Sequence, residues 1–309
     1  MLENYNELEV NDYDLFGNAV KLKPDNILSE RFEYPPFSIL NAREGVWQKR
    51  KRQWLSLGIQ SELGRGAQVF NTQDWFDKHN CSGAEKGNTS IFDPFLCELM
   101  YKWFCRPEGK VLDPFAGGSV RGIVAGVLGL NYLGIELSGN QVQANIQQKE
   151  EILPDGNIEW INGDSLKELP LLPNDADFIF SCPPYGDLEV YSDDPSDLSN
   201  MPHEKFIEIY SEIIYLSCSK LKQNRFACFV VGDYREKKTG HYRNFVGDTI
   251  TAFLKAGLHL YNEAILITSI GSLPIRITKQ FNASRKLGKT HQNILVFVKG
   301  DPTRAFNRG

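Results

Sequence analysis

The sequence predicts an α/β fold in which a mostly parallel sheet of seven strands is doubly wound, with helices on both faces. From about residue 108 onward, short apolar runs alternate with longer amphipathic runs, as in a parallel sheet covered by helices. The first apolar run leads directly into a glycine-rich turn at residues 116–118 and then into a helical run. We assign residues 86–300 to this domain, 1–85 to an N-terminal extension, and 301–309 to a C-terminal tail.

The first half of the domain contains four predicted strands. Apolar runs place them at KVLDPF (110–115), NYLGIEL (131–137), IEWINGD (158–164) and DADFIFSCPP (175–184). Amphipathic runs over 119–129 and 139–153 predict the helices that follow the first and second strands.

The second half supplies three more strands and two helices. Over 203–221, apolar side chains recur at near-helical spacing, which predicts a long helix (Phe206, Ile209, Ile213, Ile214 and Leu216). Strands are expected at 225–234, 258–269 and 293–300, with a helix at 244–257 between the first two of them. We expect the last two strands to be adjacent, without a full helix between them.

Composition excludes several classes of protein. The six cysteines, at 81, 97, 105, 182, 218 and 228, include no C-x-x-C pair, so neither a zinc site nor a disulfide framework is indicated. The acidic N-terminus has no apolar core of signal-peptide length, and no run reaches the roughly 18 apolar residues of a membrane span. We therefore expect a cytoplasmic protein without metal or membrane contact.

Charge is unevenly distributed along a chain whose net charge is -5. Residues 1–33 and 186–212 are strongly acidic, whereas residues 41–65 and 271–300 are basic. Basic segments in an acidic chain can form a local track for phosphate, although either one alone could equally be a solvated surface. The candidate phosphate-binding residues are Lys49, Arg50, Lys51, Arg52, Arg276, Lys279, Arg285, Lys286 and Lys289.

Two motifs stand in a fixed order within the predicted sheet. The first is DPFAGGS at 113–119, where a strand ends in a turn that lets backbone approach a ligand closely. Glu136 ends the second strand 23 residues after Asp113, at the spacing of an acid that binds a ribose diol in such folds. The second motif, CPPY at 182–185, follows the fourth strand about 70 residues downstream.

Together these motifs resemble the family of DNA amino-methyltransferases that modify adenine N6 or cytosine N4. The family has a D-P-F-x-G-x-G cofactor loop and a catalytic Asp, Asn or Ser before Pro-Pro and an aromatic residue. This chain departs from the pattern at Cys182 and, more mildly, at Ser119. The resemblance implies a Rossmann-like methyltransferase fold, S-adenosylmethionine as cofactor and double-stranded DNA as partner, and it makes the N-terminal extension, residues 1–85, a possible DNA-contacting region. It leaves open the methylated base, the recognition sequence, homodimer formation and a place in a restriction system.

The resemblance also implies a role for each site residue. The family's helix before the cofactor loop corresponds to residues 90–104. The cofactor-binding residues would be Ser90, Phe92, Asp113, Phe115, Ala116, Gly117, Gly118, Ser119, Glu136, Asp164 and Ser181. Cys182 and the carbonyl of Pro183, fixed by Pro184, would accept the hydrogens of an exocyclic amino group, and Tyr185 would stack on a flipped base.

Three alternatives stay open at this point. RNA amino-methyltransferases acting on guanine N2 share the chemistry and the Pro-Pro-aromatic motif. A protein that binds cofactor and nucleic acid without catalysis would also carry these motifs, with Cys182 marking the loss of activity. A covalent Cys182, as in cytosine C5-methyltransferases, is disfavoured because in those enzymes the cysteine follows a proline, whereas here it precedes two. The likeness of Cys to Ser favours cytosine N4 weakly.

Overall fold

A computed structural model describes residues 11–13, 19–21, 27–60, 63, 92–186, 198–271 and 273–306. The chain forms two compact units, Met1–Pro36 and Phe37–Gly309. In its described part, the first unit contains an antiparallel ribbon and one helix: β1 (Asn11–Tyr13), β2 (Ala19–Lys21) and α1 (Ile27–Phe32). The second unit contains the sheet and all the candidate site residues that the structure describes.

The described part of the second unit has eight strands in one sheet. They are β3 (Ile39–Asn41), β4 (Lys110–Asp113), β5 (Asn131–Glu136), β6 (Ile158–Asn162), β7 (Ala176–Ser181), β8 (Leu221–Val231), β9 (His259–Ile267) and β10 (His291–Lys299). The helices are α2 (Gly45–Leu55), α3 (Pro94–Phe104), α4 (Val120–Val127), α5 (Gly139–Ile152), α6 (Ser165–Glu168), α7 (His203–Lys220), α8 (Phe245–Lys255) and α9 (Leu273–Ser284). Among the described residues, no helix is long and apolar enough to cross a membrane.

The strand order is β3-β9-β10-β8-β7-β4-β5-β6. Neighbouring strands are parallel except at β10, which is antiparallel to both β8 and β9. The chain runs outward from β4 through β5 to β6, and then returns to β7 on the other side of β4. The carboxyl ends of β4 and β7 therefore meet at a topological switch point, where ligands bind in folds of this kind.

Two expectations for the sheet are corrected. The predicted count of seven strands is wrong, since the mixed sheet has eight; β3 has only three residues, too few to show a periodic pattern. The last two strands are adjacent in the sheet as expected, but the expectation that no full helix separates them is wrong, because the 12-residue helix α9 lies between β9 and β10 in sequence. Both β3 and α2 come from the predicted extension, yet they belong to the same compact unit as the sheet.

Strand β7 lies within the sheet and has the sequence ADFIFS, in which Asp177 and Ser181 are buried together with four apolar residues. All six residues are buried, because helices cover both faces of the sheet. Phe178 and Phe180 point to one face, where their ring centroids lie 6.2 and 5.3 Å from that of Tyr101 on α3. Phe229 of β8 packs edge to face on Phe253 of α8, with 4.9 Å between centroids. This packing fixes the strand ends that carry the two motifs.

Candidate functional site

Asp113, at the end of β4, is the centre of a buried hydrogen-bond network. Its carboxylate is fully buried and accepts from the Phe115 amide (3.2 Å), the Ser181 hydroxyl (2.6 Å), the Tyr132 hydroxyl (2.8 Å) and Nε of Arg121 (2.6 Å). A buried carboxylate needs such compensation for lost hydration. Asp113 and Ser181 thus join the ends of β4 and β7 and shape the site from within, rather than presenting polar atoms to a ligand.

Arg121, in the first turn of α4, holds the backbone of the cofactor loop. Its guanidinium donates to the carbonyl oxygens of Phe115 (2.7 Å) and Ala116 (2.8 Å) in addition to Asp113. Burial disfavours its charged form, but Asp113 more than offsets this, and the pKa of Arg121 is raised. The sequence analysis did not single out Arg121; its one signal was a lone cation in an otherwise apolar helix.

Glu136 and the glycine turn are brought together as the sequence indicated. The Gly117 amide donates to Oε2 of Glu136 (2.8 Å), and the Ser138 amide donates to Oε1 (2.8 Å). Gly117 has a φ of 53°, which favours glycine. Glu136, at the end of β5, is therefore hydrogen-bonded to the turn that follows β4.

The other residues of the turn differ in exposure and contacts. Phe115 packs towards the core, with its ring 5.9 Å from that of Tyr210, and Ala116 is fully buried. Gly118 is half-buried just before Ser119, the residue that precedes α4. The Ser119 hydroxyl is buried and has no hydrogen-bond partner among the described residues. A buried hydroxyl without a partner is costly, so a ligand that supplied one would stabilise this turn.

Three buried amides on one face of α5 connect the turn to the backbone of Gln60 and of Leu63, a feature that the sequence analysis missed. Asn145 donates to the Gly117 carbonyl (2.7 Å) and accepts from Gln141 (3.0 Å), which also donates to the Leu63 carbonyl (2.9 Å). Gln148 accepts from the backbone amide of Gln60 (2.7 Å). We call Gln141, Asn145 and Gln148 the amide ladder. It supports the turn at the Gly117 carbonyl, whereas Arg121 holds the carbonyls of Phe115 and Ala116.

Asp164 ends the loop after β6 and caps α6. Its carboxylate accepts from the Leu166 amide (3.0 Å) and lies 3.6 Å from Nζ of exposed Lys167. The adjacent Ser165 hydroxyl donates to the Pro114 carbonyl (2.6 Å), which ties this loop to the turn after β4. Asp164 thus lies on the same edge of the sheet as Asp113 and Glu136.

Phe92 marks the start of the helix predicted to close over the cofactor. Its ring is 5.7 Å from that of Phe180, and the Arg121 guanidinium lies 4.8 Å from the ring centroid of Phe92. Ser90, the other residue assigned to this element, lies outside the described residues.

The CPPY motif follows β7 directly. Cys182 and Pro184 are half-buried and Pro183 is buried, while Sγ of Cys182 lies 4.0 Å from the Tyr185 hydroxyl. That hydroxyl also accepts from Nε2 of Gln292 on β10 (2.8 Å). A strand distant in sequence therefore fixes the orientation of Tyr185, and no local pattern pointed to Gln292.

The aromatic ring of Tyr185 packs edge to face on two neighbours. Its centroid lies 5.9 Å from that of Phe245 and 6.5 Å from that of Tyr234. Tyr185 is half-buried, so part of its surface remains accessible. Two aromatic contacts and the hydrogen bond from Gln292 therefore fix the position of the ring.

The basic run in α2 is largely engaged within the protein. Two guanidinium nitrogens of Arg50 donate to the carboxylate of Glu98 on α3 (2.8 and 2.6 Å), and Nζ of Lys51 lies 3.1 Å from Asp93. Lys49 and Arg52 are exposed. Two of the four bases in the predicted phosphate-binding run therefore form ion pairs within the protein.

The second basic segment follows β9. Lys279 and Arg285 are exposed, Lys286 and Lys289 are half-buried, and Arg276 lies within α9. Burial lowers the pKa of Lys289, an effect that nearby Asp233 partly opposes. The structure places Lys289 close to the CPPY motif, because a β-carbon at Gly232 would lie 3.4 Å from Cε of Lys289 and 4.0 Å from Cε1 of Tyr185. Within the described ranges, no group of His, Cys, Asp and Glu side chains could hold a metal ion.

No protein-family model matches the sequence, and no curated protein matches it. Similar solved structures include TrmN from Thermus thermophilus, with 13% identity and a TM-score of 0.45 over 67% of this chain and 49% of that one. A TehB-like SAM-dependent methyltransferase from Corynebacterium glutamicum has 17% identity and a TM-score of 0.43 over 74% of this chain and 95% of its own. Magnesium protoporphyrin IX methyltransferase from Synechocystis, with bound SAH, has 14% identity and a TM-score of 0.45 over 75% and 96%. This chain spans about half the length of TrmN, and likenesses this distant carry no conclusion about function.

Proposed function

We propose that the protein is an S-adenosylmethionine-dependent DNA methyltransferase that modifies the exocyclic amino group of a flipped base, at cytosine N4 or adenine N6. The observation that carries the proposal is the 2.6 Å hydrogen bond from Ser181 to Asp113. It holds the glycine turn and the CPPY motif side by side at the switch point of the sheet. A methyl donor and a methyl acceptor would have to meet in such an arrangement.

The residues on the donor side fit the cofactor. Glu136 has two carboxylate oxygens at a strand end for a ribose diol, and the turn at Gly117 leaves backbone close to a ligand. Ser119 offers a buried hydroxyl that lacks a partner among the described residues. Asp164 lies on the same edge, where it could receive the adenine amino group. When bound, the cofactor would supply a methyl group already activated as a sulfonium.

On the acceptor side, the chain has to make an amino nitrogen nucleophilic. Cys182 and the carbonyl of Pro183 would each accept one amino hydrogen, which favours a pyramidal nitrogen with an available lone pair. Held by these two acceptors, the amino nitrogen would be positioned to take up the methyl group, and its surplus proton would pass to solvent. Tyr185, oriented by Gln292, would stack on the base after it leaves the duplex.

The test compares Tyr185→Ala with Tyr215→Ala, a matched change at an exposed tyrosine of α7. Loss of the stacking surface should lower turnover on DNA by about 1 to 3 kcal/mol of transition-state stabilisation, while leaving cofactor affinity nearly unchanged. Tyr215→Ala should retain full activity. The measurements are methyl transfer to duplex DNA, nucleoside mass analysis of the product, and calorimetry with S-adenosylmethionine.

Variants of Cys182 separate the chemical alternatives. Cys182→Ser should retain activity, because Ser has a similar shape and is a better acceptor, and Cys182→Ala should lose activity only in part. A covalent mechanism predicts that both variants are inactive and that the methyl group appears on cytosine C5. Methylation of structured RNA but not of DNA would show that the substrate is RNA. Cofactor binding without any product would indicate a non-catalytic subunit.

A further inference from the structure

A short hairpin follows β8 and has its own internal bonding. In this hairpin loop, residues 233–244, Arg235 and Tyr242 form a β-bridge, and the Glu236 amide donates to the His241 carbonyl (2.9 Å). The Arg235 guanidinium donates to the Gly240 carbonyl (2.8 Å) and lies 3.9 Å from the Tyr242 ring centroid. These contacts give the loop a defined shape.

The hairpin loop lies against the second basic segment. A β-carbon at Gly240 would lie 2.5 Å from Nζ of Lys286, so the lysine rests directly on the hairpin backbone. Nζ of Lys289 lies 5.8 Å from the Tyr242 ring centroid, on the same ring that Arg235 contacts. Because Lys289 also lies beside Gly232 and Tyr185, the two basic elements meet next to the CPPY motif.

Both elements carry an excess of positive charge. The hairpin loop has four bases (Arg235, Lys237, Lys238 and Arg243) against Asp233 and Glu236, and residues 271–290 have no acid at all. Glu236 interacts within the loop, with Thr239 (2.6 Å) and Arg243 (3.5 Å). Nε of Arg243 is buried without a hydrogen-bond partner among the described residues. Like charges this close repel one another, so a bound anion would relieve the repulsion.

We propose that the hairpin loop and residues 285–289 form one phosphate-binding cleft, which holds the backbone of the DNA strand that carries the flipped base. This inference rests on the proposed function and extends it to the hairpin loop. The cleft adjoins Tyr185, and a base stacked there must remain attached to phosphates on either side. Lysine and arginine side chains in a groove bind such phosphates without regard to sequence.

The test neutralises one lysine on each wall of the cleft, with Lys238→Gln and Lys286→Gln in one protein. Its control, Lys205→Gln with Lys255→Gln, makes the same charge change on α7 and at the far end of α8. Binding of a short fluorescent DNA duplex is followed over a range of salt concentrations. Loss of two phosphate contacts should reduce the slope of log affinity against log salt by about 1.8, and should weaken binding about tenfold. The control should match wild type, and both proteins should bind S-adenosylmethionine normally.

Each result bears on the cleft or on the proposed function in a distinct way. Unchanged affinity and slope in the Lys238 and Lys286 variant, while wild type binds and methylates DNA, overturn the cleft and leave the proposed function standing. An equal loss in the control variant also overturns it, because the effect would then reflect net charge alone. Wild-type protein that binds cofactor but no DNA overturns the cleft together with the DNA substrate. Binding of structured RNA with the same lysine dependence, and not of DNA, likewise overturns the assignment to DNA.

Discussion

The two basic segments, residues 49–52 in α2 and residues 285–289 after α9, lie next to groups of opposite charge, acidic for the first and basic for the second. Arg50 and Lys51 reach carboxylates of α3 and its cap, and fully buried Glu98 also accepts from Trp54 (2.6 Å). Lys286 and Lys289 instead lie beside a hairpin that itself carries an excess of positive charge. A run of cations thus forms ion pairs within the protein where the fold supplies acids, and we propose that it binds a ligand where the fold does not. The position of the acids, more than the density of bases, distinguishes the two.

The largest expected effect comes from removing the charge of Glu98, which pairs with Arg50 and Lys102; we call these contacts the clamp. Glu98→Gln should destabilise the protein by about 2 kcal/mol, because the charge-assisted hydrogen bonds to the buried carboxylate are lost while Arg50 and Lys102, each about a third exposed, keep contact with solvent. Urea unfolding measures this loss. The control, Glu159→Gln at an exposed position of β6, should change stability by less than about 0.5 kcal/mol. Equal stability of the two variants would mean that the α2 segment is not a clamp.

The clamp should also depend on pH. Burial alone would raise the pKa of Glu98, but hydrogen bonds from Arg50, Trp54 and Lys102 outweigh it and lower the pKa. A carboxyl whose pKa is lower in the folded state stabilises above its unfolded pKa, near about 4.3, and this stabilisation is lost as pH falls through the folded value. The difference in unfolding free energy between wild type and Glu98→Gln should therefore shrink under acidic conditions. A constant difference across that range would contradict the lowered pKa.

The smallest expected effect concerns the exposed half of α2. We propose that any phosphate contact of this run is made by Lys49 and Arg52, since Arg50 and Lys51 are engaged. Replacing both by Gln should change stability by less than about 0.5 kcal/mol. It should weaken DNA binding less than about threefold, below the effect of the Lys238 and Lys286 variant. A salt slope reduced as much as in that variant would erase the distinction between the two segments.

The parts of the fold that the sequence predicted are those with local signals. The strands β4 to β8 and the turn at 116–118 were expected because apolar period and glycine content are visible within a few residues. The edge strand β3 is three residues long, and its pairing with β9 joins residues more than 200 positions apart. The helix α9 has exposed apolar residues such as Ile275 and Phe281, so it lacks the buried stripe that usually identifies a helix.

For the site, the sequence indicated which strand ends come together but not what each side chain does there. Asp113 looked like a ligand-binding acid, whereas the structure shows its carboxylate occupied by Arg121, Tyr132 and Ser181. Those partners lie 8, 19 and 68 residues away along the chain, beyond any local motif. Gln292, which orients Tyr185, is 107 residues from it and escaped notice for the same reason.

The amide ladder of α5 has a consequence for the modularity of the protein. Gln141 and Gln148 bond to backbone of residues 60–63, a part of the chain that the motifs alone would leave outside the domain. Removing residues 1–85 would leave the buried amides of Gln141 and Gln148 without these backbone partners, at about 1 to 3 kcal/mol for each group. Asn145 would pass the disturbance to the Gly117 carbonyl. The unit that must be inherited together is thus wider than the motifs. A recombination event that replaced the N-terminal region would also have to replace the face of α5 that bonds to it.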